Sequence, residues 1–191
     1  MIAWPVAWPR TILDSYEVIV QRANRRVKQM AKPIINIAEV EFGPFPAPMP
    51  ESAKAKFGGA VLGRIGPKIG ARKLGYSITV LPAGKRAFPF HSHRVNEEMF
   101  FILEGEGEVR VGDKIYPIRK GDFVAHPPGG PETAHQIVNT SKNELRYLAV
   151  STMELPEIAD YPDSNKFGVM SLDGFRFLGR LDQSLDYWDG E

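Results

Sequence analysis

The central part of the chain alternates apolar and polar residues. Between Leu74 and Leu81 the apolar residues recur at every second position, which predicts one strand that Pro82-Ala83-Gly84 ends. Further short apolar runs separated by turn residues predict strands over 99–103, 108–111, 114–118, 123–126, 135–139 and 145–152. Many short strands at close spacing indicate an antiparallel sandwich or a small barrel.

A different pattern precedes this region. From Thr11 to Met30 the apolar residues recur at steps of three and four, with arginines on the remaining surface, which predicts an amphipathic helix. Three interpretations are open: a helix packed on the domain or on a second subunit, a basic surface or targeting segment, or sequence upstream of a natural start at Met30. The segment lacks the order of regions that a signal peptide has.

Residues 33–73 connect this helix to the strands. Pro33 to Phe42 alternates briefly and predicts a strand or an extended arm. Residues 43–73 are rich first in Pro and then in Gly, which predicts a loop lying over a surface rather than a helix.

The chain ends in an acidic segment. From Glu154 to Glu191 it has nine Asp or Glu against three Lys or Arg, together with Phe167, Phe175, Phe177, Leu178, Tyr187 and Trp188. This apolar content is too high for a disordered tail, so we expect the segment to pack on the barrel or on a partner subunit. The predicted organisation is an extension over 1–32, a barrel over 33–155 and a C-terminal segment over 156–191.

Composition limits the possible functions. The chain has no cysteine, so any metal must be held by His and carboxylate groups. No run of about 18 apolar residues predicts a membrane span. The formal charge of +1 argues against a general nucleic-acid binder. We therefore expect a cytoplasmic protein that has no membrane or nucleic-acid partner and acts on a small molecule.

The candidate chemistry lies in the four histidines, which all fall between His91 and His135. His91 and His93 are two residues apart, so a strand presents both imidazoles on one face. Glu98 adds a carboxylate, and His135 adds an imidazole from a distant strand. These four residues predict a metal site with three nitrogen ligands, one oxygen ligand and open positions for water or substrate. Glu97, one residue earlier, would point to the opposite face.

These residues belong to two stretches that resemble the two signature motifs of the cupin superfamily. The first motif is matched by Gly84, His91, His93, Glu98 and Gly105, and the second by Gly121, Pro127, Gly129, His135 and Asn139. The resemblance implies a single-domain, all-β double-stranded β-helix, the jelly-roll barrel, here with a short N-terminal helical extension. It also implies homodimers formed through N-terminal strands. The spacing from Gly129 to His135 is longer than in the motif, so His126 is either a rim residue or an alternative to His135.

The ligand set suits Mn, Fe, Ni, Zn or Cu, so a divalent transition metal is the expected cofactor. The favoured function is a metal-dependent sugar-phosphate isomerase or epimerase, because Arg86, Arg94 and Lys73 lie near the histidine strand and could hold a phosphate. An Fe(II)-dependent dioxygenase and a non-enzymatic protein that binds a metal or small ligand are the alternatives. The sequence identifies no catalytic residue. An enzyme is expected to place a lysine, glutamate or tyrosine near the open metal positions.

Overall fold

The computed structural model describes residues 32–45 and 49–191, and the regular secondary structure of these residues consists mainly of short β-strands. The strands are β1 (Gly43–Pro44), β2 (Val61–Arg64), β3 (Leu74–Leu81), β4 (Ser92–His93), β5 (Glu98–Glu104), β6 (Glu106–Val111), β7 (Lys114–Arg119), β8 (Phe123–His126), β9 (His135–Val138), β10 (Leu145–Thr152), β11 (Glu157–Tyr161), β12 (Lys166–Met170) and β13 (Arg176–Arg180). One α-helix, α1 (Glu51–Phe57), lies within the described ranges.

The strands form three antiparallel sheets. The first sheet has the order β1-β2-β3-β10-β5-β8. The other strands form a β7-β6-β9 sheet and a β13-β12-β11-β4 sheet. Isolated bridges between Arg86 and Val138 and between His91 and His135 join the segment before β4 to β9. The metal-ligand candidates therefore lie where these sheets meet, in the all-β jelly roll that the sequence predicts.

The core lies on the inward faces of β5, β6, β9 and β10. Phe100 is 5% exposed, and Ile102, Ile137 and Leu145 are each at most 2% exposed. The predicted alternation is confirmed here, because residues two apart on β5 share the buried face. Each such side chain contributes roughly 1.5–3 kcal/mol when it is fully buried. These packed side chains form an apolar layer beneath the site.

Three predicted strands, Leu74–Leu81, Phe123–His126 and Leu145–Thr152, have the predicted bounds. The prediction of a loop over 43–73 is wrong in part, because α1 and β2 lie in it. The residues of α1 are mostly good helix formers that follow Pro50, and the backbone N–H of Gly58 closes the last turn on Lys54. β2 pairs with β3 and so extends the first sheet.

The region before β1 contains a short 3₁₀ turn over Ile37–Glu39, so of the two structures predicted for Pro33 to Phe42, a strand or an extended arm, the strand is wrong. Asn36 caps this turn, and the Glu39 side chain accepts a hydrogen bond from the Asn36 backbone. The amphipathic helix predicted over Thr11–Met30 lies outside the described residues.

The acidic C-terminal segment begins with a strand of the barrel, since β11 pairs with β4. β12 and β13 continue as a hairpin in which Phe177, Leu178 and other apolar side chains are about half exposed. The division of the chain at residues 32 and 155 stays a prediction. In the described ranges, no helix is long and apolar enough to cross a membrane.

Candidate metal centre

The four predicted ligands come from three separate elements. His91 directly precedes β4, His93 ends it, Glu98 begins β5 and His135 begins β9. The backbones of His91 and His135 exchange two hydrogen bonds of 3.2 and 2.7 Å. These bonds fix the two imidazoles side by side, while Glu98 approaches from the other sheet.

The side chains converge on one point. One ligand atom each from His91, Glu98 and His135 lies within 4.8 Å of the other two. Glu98 Oε2 is 3.0 Å from His135 Nε2 and 3.6 Å from His93 Nε2. The ring of His93 lies 5.0 Å from that of His91, between centroids. The structure therefore brings the ligand atoms of His91, Glu98 and His135 together, and it places His93 beside Glu98 but outside that group of three.

Neighbouring carbonyl groups decide which imidazole nitrogen is protonated. His91 Nδ1 lies 2.8 Å from the carbonyl oxygen of Pro89, and His135 Nδ1 lies 3.4 Å from that of Thr133. A carbonyl oxygen only accepts hydrogen bonds, so the shorter contact favours a proton on Nδ1 of His91, whereas His135 donates from Nε2 to Glu98. Nε2 of His91 is then free to offer a lone pair to a metal ion.

Burial and neighbouring charges favour the ligand states that bind metals. Burial, assisted by the positive charge of His135, lowers the pKa of His91 to about 4. Burial alone would raise the pKa of Glu98, but the hydrogen bond from His135 and the charges of the nearby imidazoles together lower this pKa to about 2. At neutral pH His91 is therefore neutral and Glu98 is ionised.

A further observation shows that these residues fit a metal ion. In the described part of the chain, both ring nitrogens of His93 are buried and have no hydrogen-bond partner. Such orphaned polar atoms are costly unless a ligand satisfies them. The side chains of His93 and Glu98 are 18% and 19% exposed, so the site is partly open to solvent.

Two other candidate metal ligands, His126 and Glu97, lie outside the set of four predicted ligands. His126 is 2% exposed and stacks on His135 with a centroid distance of 3.7 Å, and burial lowers its pKa to about 3. It packs against the ring of His135 and lies outside the group whose ligand atoms converge. The side chain of Glu97 is exposed, as its opposite strand parity predicts.

The polar side chains beside the site are not the cations that the sequence suggests. Arg94 Nε donates to Asp160 Oδ2 at 2.6 Å, so its charge is already paired. The structure instead places Tyr161 beside the site, with its ring nearly parallel to that of His91 at 6.0 Å. Lys166 Nζ lies 5.6 Å from the Tyr161 ring centroid, and burial raises the pKa of Tyr161. Neither residue belongs to a recognisable motif, so sequence reasoning missed both.

A family model described as a cupin domain matches residues 77–151. The domain over these residues is similar to cupin domains. This domain includes all four candidate ligands, and the jelly-roll prediction is thereby confirmed. A crystal structure of a sugar phosphate isomerase of the cupin superfamily from Silicibacter pomeroyi is 25% identical, with a TM-score of 0.70, covering 82% of this chain and 98% of that chain.

Two of the sequence relatives each match a part of the chain. An uncharacterized protein of Methanocaldococcus jannaschii is 32% identical over 72 residues, which is 38% of this chain and 54% of that protein. An oxalate-binding protein of Thermotoga maritima is 36% identical over 70 residues, which is 37% of this chain and 54% of that protein. The chain thus spans about half the length of each relative.

Proposed function

We propose that the cupin domain binds one divalent transition-metal ion through His91, His93, Glu98 and His135. The observation that carries this proposal is the convergence of ligand atoms from His91, Glu98 and His135 within 4.8 Å. Three imidazole nitrogens and one carboxylate suit Mn, Fe, Ni, Zn or Cu, and they leave coordination positions for a substrate.

We further propose that the site is a sugar-phosphate isomerase or epimerase. The similarity over nearly the whole length of the Silicibacter pomeroyi isomerase supports this choice. A bound metal ion would supply Lewis acidity toward a carbonyl or hydroxyl pair. Tyr161, beside His91, is the candidate group for proton transfer. Lys166, whose Nζ lies 5.6 Å from the centroid of the Tyr161 ring, is the candidate phosphate ligand.

Metal analysis and turnover assays together test this function. Elemental analysis of purified protein should find about one metal ion per chain, and single substitution of each ligand should remove it. The metal-loaded protein should isomerise sugar phosphates. Failure with every divalent ion tested, combined with O2 consumption in the presence of Fe(II), would indicate a dioxygenase. Metal binding with no turnover of either kind would indicate a binding protein.

Two substitutions distinguish the proposed roles. Tyr161→Phe should lower kcat about 100-fold or more with little change in metal affinity, because it removes only the hydroxyl. Lys166→Gln should raise KM for a sugar phosphate about 10-fold, because a charge-assisted hydrogen bond to the phosphate is lost. Lys142→Gln, at an exposed position in the loop after β9, is the matched control and should change neither parameter.

We also propose a homodimer. The described residues include large apolar side chains that are strongly exposed, such as Phe123 at 71% and Trp188 at 72%. Exposed apolar groups of this number favour association. Light scattering after size-exclusion chromatography should give about twice the mass of 21.3 kDa. A monomer at micromolar concentration contradicts the proposal.

A further inference from the structure

Glu157 is a fully buried carboxylate on β11, beyond the segment that the cupin family model matches. Buried carboxylates are rare and need several partners. Oε1 accepts hydrogen bonds from the backbone N–H groups of Arg94 at 3.1 Å, Val95 at 3.2 Å and Ile158 at 2.8 Å. Oε2 accepts a bond from the backbone N–H of Asn96 at 2.9 Å and another from its side-chain amide. The carboxylate therefore holds three successive backbone amides of one turn.

That turn connects two of the proposed metal ligands, His93 and Glu98. A movement of its backbone would change the distance between their side chains. Asn96 attaches the same turn to the barrel, because its Oδ1 accepts hydrogen bonds from the Thr152 hydroxyl at 2.9 Å and the Glu154 N–H at 2.7 Å. Glu157 is thus the centre of a buried network that sets the spacing of this ligand pair.

Glu157 also faces the imidazole of His93 directly. Its Oε2 lies 3.5 Å from His93 Nδ1, and His93 Nε2 points toward Glu98, 3.6 Å from Oε2. A carboxylate on the outer nitrogen of a metal-binding histidine fixes the ring orientation and strengthens the metal bond. A small closing movement would bring Nδ1 into full hydrogen-bond range of Glu157.

We propose that Glu157 is a positioning residue for the metal centre, which it orders through His93 and the turn between His93 and Glu98. This inference rests on the proposed metal site. It assigns a role to a C-terminal residue that belongs to neither signature motif.

Zn(II) titration of the purified full chain tests the role. Glu157→Gln keeps the shape of the side chain but removes its charge, and should weaken Zn(II) affinity about 10- to 100-fold. Glu144→Gln is the matched control: it makes the same change in a carboxylate that pairs with Arg146, outside the turn between His93 and Glu98, and should bind Zn(II) as wild type does. Unchanged affinity in Glu157→Gln would overturn the proposal.

A double-mutant cycle separates positioning from general destabilisation. In a His93→Ala background, Glu157→Gln should cause a clearly smaller loss of Zn(II) affinity than it does in wild type, because the ring that it orients is gone. An equal loss in both backgrounds would show that Glu157 does not act through His93. If wild type itself binds no Zn(II), the proposed function fails instead.

The wild-type protein also provides a test that does not depend on the folding of the variant. Nitrogen-15 NMR of the Zn(II)-loaded chain should show His93 bound to the metal through Nε2, with its proton on Nδ1 toward Glu157. Coordination through Nδ1 would contradict the inference.

Discussion

Acid should destabilise the metal-free protein through His91. Its pKa is about 4 in the folded state against an ordinary value of 6.5. Between these two pH values the unfolded chain binds a proton that the folded chain does not, so stability is highest above pH 6.5 and is lost as the pH falls toward 4. Above pH 6.5 the titration of His91 has no effect on the free energy of unfolding.

The size of the effect follows from the shift. Each pKa unit corresponds to about 1.4 kcal/mol, so His91 alone should lower the free energy of unfolding by about 2 kcal/mol at pH 5 and about 3 kcal/mol at pH 4. His126, with a pKa of about 3, changes stability in the same direction. The wild-type loss should therefore exceed the contribution of His91.

Urea denaturation in the presence of a chelator isolates this contribution. The free energy of unfolding is measured at pH 7 and pH 5 for wild type and for His91→Asn. The variant cannot titrate at this position, so its loss between the two pH values should be about 2 kcal/mol smaller than that of wild type. Equal losses in the two proteins would refute the assignment of a buried neutral imidazole at this position.

Three further predictions concern stability and metal binding. Ile102→Ala removes a side chain that is 0% exposed and should lower the free energy of unfolding by about 2–5 kcal/mol in urea denaturation. Gly107→Ala would place a Cβ 2.5 Å from the Val138 carbonyl oxygen, so β6 and β9 must separate, and thermal unfolding should show a loss of about 1–3 kcal/mol. Zn(II) at 100 times its Kd should raise the free energy of unfolding by about 3 kcal/mol, and Glu98→Gln should lose most of this gain.

The sequence predicts the barrel and the proposed ligands for the same reason. Strand periodicity is strict, so alternation locates β3 and β10, and a spacing of two places His91 and His93 on one face. These are local signals, and the structure confirms them for the two strands.

The features that sequence reasoning missed depend on signals that a single sequence does not display clearly. Helix α1 lies between proline-rich and glycine-rich stretches that hide a short run of good helix formers. Glu157 is one of nine acidic residues in its segment, and only the pairing of β11 with β4 shows that it is buried beneath the turn after His93. Tyr161 reaches His91 through the same strand pairing. Pairing between strands that are far apart in the chain produces no periodic pattern in a single sequence.

The convergence of ligands from different sheets has a consequence for kinetics. Glu98 and His135 are 37 positions apart in sequence and meet only when β5 and β9 are both in place. Contacts between such distant residues are costly in entropy and tend to form late in folding. A metal ion bound there would stabilise the native state more than the transition state for folding. It should therefore slow unfolding while leaving the rate of folding almost unchanged.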